Sequence, residues 1–113
     1  MLAKFFRATI VASVVYLVPL GAQAFECPKH FDDAQAVIDK VQADMKGMKG
    51  KVLKEEHALV HALLDDAKMR LAGAKHNHEK PQGAYDHARA IAKADAALGY
   101  ARAADMLHFH YMQ

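Results

Sequence analysis

The amino-acid sequence predicts an all-α protein: a small antiparallel three-helix bundle in up-down-up order, or a helical hairpin completed by a second copy of itself. Three observations predict it. Residues 25–113 are rich in Ala, Lys, Leu, Asp and His, poor in Ile and Thr, and free of Trp, a helix-forming composition. No stretch of useful length alternates apolar and polar residues, so the strand signal is missing. Three segments instead space their apolar residues three and four apart, the period of one helical face, and breaks containing glycine or proline separate them.

Residues 1–24 are set apart from the fold. Lys4 and Arg7 give a positive start, an apolar run follows from Ile10 to Leu20, and Ala22-Gln23-Ala24 supplies the small-x-small pattern of a signal-peptidase site. The run is short for a membrane span, which takes about 20 apolar residues. The expectation is a cleaved secretory signal and a mature single domain, residues 25–113, in the bacterial periplasm or outside the cell, with no membrane attachment after cleavage. Glu26 directly before Cys27 makes a poor lipidation box.

The first helix is expected at about 28–46. Phe31, Ala34, Ile38, Val41, Met45 and Met48 draw one apolar stripe. Pro28 suits a first-turn position, and Asp32 and Asp33 suit the positive end of the helix dipole. Gly47 and Gly50 mark a break. The second helix is expected at about 52–75, with Leu53, His57, Val60, Leu64, Ala67, Leu71 and Ala74 as its seam. "HNHEKPQG" follows, and Asn77, Pro81 and Gly83 are turn residues. The third helix is expected at about 84–110, with a stripe of Ala88, Ile91, Ala94, Leu98 and Ala101 whose alanines let a neighbour approach closely.

Charge excludes some partners. Lys4 and Arg7 account for two of the fifteen Lys and Arg, which leaves thirteen basic against thirteen acidic residues in 25–113. A near-neutral domain gives no electrostatic reason to expect nucleic acid or an anionic membrane. Cys27 is the only cysteine, so no disulfide can form within the chain. A domain this small must then rely on tight helix packing, a metal or self-association.

Eight histidines, all after residue 24, are a high number for such a domain. Neutral imidazole is the commonest protein metal ligand. Antiparallel folding about the turn near 79 and 80 sets His76 and His78 beside His87. Folding about the break near 49 brings Cys27 and His30 to the same end. Cys27, His30, His76, His78 and His87 are therefore expected at one pole. Cys27-Pro28-Lys29-His30 adds a Cys-x-x-His at a helix start, where a thiolate is more available; it is not Cys-x-x-Cys-His, the haem-attachment motif. At the other pole His57 and His61, four apart, share one helical face and can share a metal. His108 and His110 end the third segment there. Met45, Met48, Met106 and Met112 lie near, and Asp65 stands one turn beyond His61. Each residue also has a plainer reading: His76 and His78 as imidazoles favoured by a helix C-terminus, His57 as a core histidine bonded to a carbonyl, and Met45 and Met48 as core.

Residues 57–104, "HALVHALLDDAKMRLAGAKHNHEKPQGAYDHARAIAKADAALGYARAA", resemble the small metal-binding proteins of bacterial periplasms, the SmbP-like helical-hairpin family. The resemblance rests on His57 and His61 at helical spacing, the 64–68 run, the turn with His76 and His78, and His87 opening the next helix. It implies a signal-bearing, histidine-rich helical protein that binds divalent metals, copper among them. Most family helices carry histidine at nearly every turn, whereas residues 88–107 here have none. One or two sites are therefore expected rather than high capacity.

The functional expectation is a periplasmic small metal-binding protein that holds copper, or alternatively nickel or zinc, for buffering, delivery or sensing. Its expected ligands are His57 and His61 at one pole and Cys27, His30, His76, His78 and His87 at the other. The alternative is a metal-free helical module buried in a homodimer or against a periplasmic protein partner. An enzyme is not expected. Residues 25–113 contain no serine, no His-Glu-x-x-His and no glycine-rich phosphate loop, and three short helices leave little room for a reaction pocket.

Overall fold

The computed structural model describes residues 21–48 and 54–111. They form three helices and no strand: α1 (Gly21–Gly47), α2 (Lys54–Glu79) and α3 (Ala84–Tyr111). The fold is a small all-α bundle. None of the three helices is long and apolar enough to cross a membrane. The expected leader falls mostly on residues 1–20, outside the described residues, as do Gly50, Leu53 and Met112.

Cross-helix contacts fix the directions. His30 of α1 meets Asp95 of α3, and ten residues further along both helices Lys40 meets Asp105 at 2.7 Å. Equal steps in the same sense make α1 and α3 parallel. Arg70 of α2 donates to the Tyr100 hydroxyl at 3.1 Å, and Lys93 of α3 donates to Asn77 at 2.6 Å. Seven residues forward on α2 correspond to seven back on α3, so that pair is antiparallel. The order is up-down-up. The link between α2 and α3 is only residues 80–83. The Asp86 carboxylate accepts from the Gln82 backbone N–H at 2.7 Å, an acidic side chain at the positive end of a helix.

The core is a seam repeated on each helix. On α1 it is Cys27, Phe31, Ala34, Ile38, Val41 and Met45; on α2, Val60, Leu64, Ala67, Leu71 and Ala74; on α3, Ala90, Ala94, Ala97, Ala101 and Ala104. Steps of four and three alternate throughout, the pattern that keeps one face toward neighbouring helices. From Phe31 to Met45 and from Val60 to Ala74 these are the stripes expected from the periodicity; Met48 and His57, expected to extend them, are only half-buried, and Cys27 joins the α1 line.

Two local readings are corrected. The third stripe is the all-alanine line just given: Ala88 is exposed, and Ile91 and Leu98 pack at the flank rather than inside. The reason is placement. The third helix packs against both others, while α1 and α2 touch far less, so the smallest side chains fill its central line and larger ones shield the margins. Pro28, expected in the first turn, lies inside α1, which begins upstream at Gly21. Having no N–H, it leaves the carbonyl four residues earlier without its helical donor.

Candidate metal centre

The second helix does not stop at residue 75. It continues to Glu79, and the backbone N–H of Lys80 closes its last turn on the His76 carbonyl at 3.0 Å. His76 and His78 are therefore helical residues, not turn residues. The seam step of four after Ala74 is His78. The seam step of three before Ala90 on α3 is His87. The seam of α1 opens on Cys27. Three heptad-like seams thus end at the same pole in side chains that can bind a metal.

Cys27, His78 and His87 each offer one ligand atom, and these atoms all lie within 4.8 Å of one another. An ion bonded at about 2.0 Å to nitrogen and 2.3 Å to sulfur draws its donors to roughly 3.3–3.8 Å apart. The rearrangement needed is a side-chain adjustment of about an ångström. Among the described residues this is the one grouping of three or more histidine, cysteine or acidic side chains so placed. Cys27 is fully buried, and both imidazoles are half-buried.

The surroundings hold the rings in place. Phe31, one turn beyond Cys27, meets His78 edge to face, with centroids 5.5 Å apart and planes at 81°. His78 and His87 also meet edge to face, at 5.5 Å and 71°. The Nδ1 atoms of His78 and His87 are buried and have no hydrogen-bond partner among the described residues. A buried imidazole nitrogen without a partner costs free energy unless something occupies its lone pair or proton. The Cys27 sulfur lies 3.8 Å from the His87 carbonyl oxygen, to which its S–H donates. Burial pushes the Cys27 thiol above its ordinary pKa, and the negative charge of Glu26 adds to this, against the backbone hydrogen bond that lowers it. The thiol therefore keeps its proton at neutral pH.

The other expected ligands stand elsewhere. His30 Nδ1 is 2.5 Å from an Asp95 oxygen, tying α1 to α3. His76 is exposed. His57 and His61 do stack on one face of α2, with centroids 4.5 Å apart and perpendicular planes. They line a cleft of about 270 Å³ with Gln42, Met45, Lys46, Leu64 and Lys68. Two lysines there oppose a cation, and no third histidine, cysteine or acidic side chain joins the pair among the described residues. Asp65 is exposed. His108 occupies a seam position on α3 and is buried, its Nδ1 also without a hydrogen-bond partner among the described residues. His110 is exposed, and so is Met106.

The sequence reading named Cys27, His78 and His87 but did not separate them from His30 and His76. Part of the signal that separates them is in the chain: extending the expected α1 and α2 seams by one step reaches Cys27 and His78 and misses His30 and His76. His87 lies one step before Ala90, on the all-alanine line that only the structure reveals. Phe31 was read only as core, and its role as a wall for the imidazole was not visible.

Comparison with protein-family models, with curated proteins and with solved structures gives no match.

Proposed function

We propose that this chain is a small metal-binding protein of the bacterial periplasm or cell exterior, which holds a late first-row ion, copper foremost, for buffering, delivery or sensing. Cys27, His78 and His87 are its ligands. One observation carries the reading: three donor side chains from three different helices meet within 4.8 Å. A chance cluster of surface histidines does not draw on every helix of a bundle, nor end every seam. Sulfur with two imidazoles is a donor set for copper or zinc. The family resemblance of residues 57–104 and the leader-like residues 1–24 support the location and the metal class.

The mature protein, titrated with Cu(I), Cu(II), Ni(II) and Zn(II), is expected to bind at least one of them at a single site. Failure to bind any more tightly than roughly 10 μM removes the reading, because scattered histidines reach that affinity unaided.

A second reading has its own observation. Leu59, Met69, Tyr85, Met106 and Phe109 are more than half exposed, and Leu63, Ala96, Gly99, Tyr100 and Ala103 line an apolar cleft between α2 and α3. A helical interaction module uses such a surface. Sedimentation with and without chelator separates the two readings, since a chelator-insensitive oligomer with no bound metal favours the module.

A further inference from the structure

We infer that the Cys27–His78–His87 centre is a three-coordinate site that selects Cu(I) over Zn(II); the inference rests on the metal-binding reading above and narrows it to one ion. Three features of the pole lead to it.

The first is the number of donors. Each helix supplies one, and the nearest other candidates are committed or turned away: His30 to Asp95, His76 to solvent. Among the described residues no fourth histidine, cysteine or carboxylate joins the group. Zinc is almost always four-coordinate. Here it must recruit water for its fourth position. Cu(I) is content with three donors.

The second is charge. A thiolate with two neutral imidazoles carries one negative charge. Cu(I) brings the centre to zero. Zn(II) leaves one positive charge beside the Phe31 ring and the fully buried Ala74 and Ala90, where an uncompensated charge is costly. Three acidic residues neighbour the donors in sequence: Glu26 and Glu79 are exposed to solvent, and Asp86 is committed to the Gln82 backbone N–H and lies 4.0 Å from Arg89.

The third is softness. Thiolate binds both ions, but Cu(I) is soft and Zn(II) only borderline-soft, so a thiolate donor matches Cu(I) more closely. The Cys27 side chain is fully buried, whereas the His78 and His87 rings, though their Nδ1 atoms are buried, reach the half-exposed rim beside the 80–83 turn. An incoming ion therefore meets the imidazole rings first and the sulfur last.

The test is a pair of competition titrations on the mature protein. Cu(I) is held in a bicinchoninate complex under anaerobic, reducing conditions, and Zn(II) in a chromophoric chelator. Cys27→Ser and His78→Ala are run beside the wild type, with helix content checked by circular dichroism. His78 is half-exposed, so its variant is the one expected to fold if the buried cysteine variant does not. The expected result is Cu(I) bound at least about a thousandfold more tightly than Zn(II), with both substitutions weakening Cu(I). Zn(II) bound as tightly as Cu(I), and equally lost in the variants, overturns the selectivity while leaving the site in place. Binding of either ion that neither substitution alters overturns the site itself.

Discussion

The two ends of the bundle both carry histidines, yet they differ in kind. At one end the rings of His78 and His87 come from different helices and meet the sulfur of a third. At the other, His57 and His61 come from one helix and face two lysines, while His108 sits on α3 with a buried nitrogen of its own. An orphaned imidazole nitrogen is thus not by itself a mark of a site, since both ends have one. His57 and His108 extend their seams too, so what distinguishes the first end is that its seam-end side chains come from all three helices and their ligand atoms lie within 4.8 Å of one another. Their positions are fixed by the same interdigitation that holds the core. Donors on one exposed face have no such constraint, and holding them around an ion costs side-chain freedom.

The comparison breaks most readily on metal affinity. Cys27→Ser and His87→Ala are each expected to lower affinity by about 100-fold or more, at least the effect of losing a supporting residue around a metal. The double change of His57 and His61 to alanine is expected to leave affinity within about twofold, the level of a surface change away from the site. Equal losses at the two ends, followed by competition titration, would dissolve the distinction.

Packing comes next. The seams are shared by both ends, so a change at mid-bundle should destabilise the protein without discriminating between them. Leu64→Ala is expected to cost about 2–5 kcal/mol in urea unfolding. Ala97→Leu, on the central line of α3, is expected to cost about 1–3 kcal/mol by forcing its neighbours apart. A neutral Ala97→Leu would mean that α3 is not wedged between its partners.

The pH dependence sharpens the contrast further. The folded thiol of Cys27 has a raised pKa. Its contribution to the stability of the metal-free protein is therefore complete below the ordinary thiol value and is lost as pH rises through the raised one, because the unfolded chain releases the proton more easily. Metal-free protein is expected to lose stability in that alkaline window, and Cys27→Ala is expected not to. Bound metal replaces the proton and should abolish the loss. Thermal melts across the window, with and without metal, check this.

The smallest effects belong to residues near the site that are not part of it. His30→Ala removes a half-exposed contact with Asp95 and should cost at most about 1 kcal/mol with no change in metal affinity. Asp105→Asn loosens the exposed Lys40 tie and should sit near the limit of detection, vanishing in salt.

Much of this was legible in the chain. The three-and-four spacing from Phe31 to Met45 and from Val60 to Ala74 specified two helices and their buried faces, because apolar burial is what the periodicity encodes. The third stripe was misplaced for a physical reason. Large residues such as Ile91 and Leu98 dominate a hydropathy reading, whereas a helix packed on two sides puts its alanines at the centre. The site was half legible. Antiparallel folding groups Cys27, His30, His76, His78 and His87 at one pole without separating them. Only a seam carried through residue 78 distinguishes His78 from His76, and Asn77, Pro81 and Gly83 masked that continuation by suggesting that the helix had already ended.

X-ray absorption on the metal-loaded mature protein tests the central claim most directly. The account predicts a first shell with one sulfur at about 2.3 Å and two nitrogens at about 2.0 Å, the sulfur disappearing in Cys27→Ser. A shell of nitrogen and oxygen alone would contradict it, for the ion would then be held by histidines that the helices do not bring together.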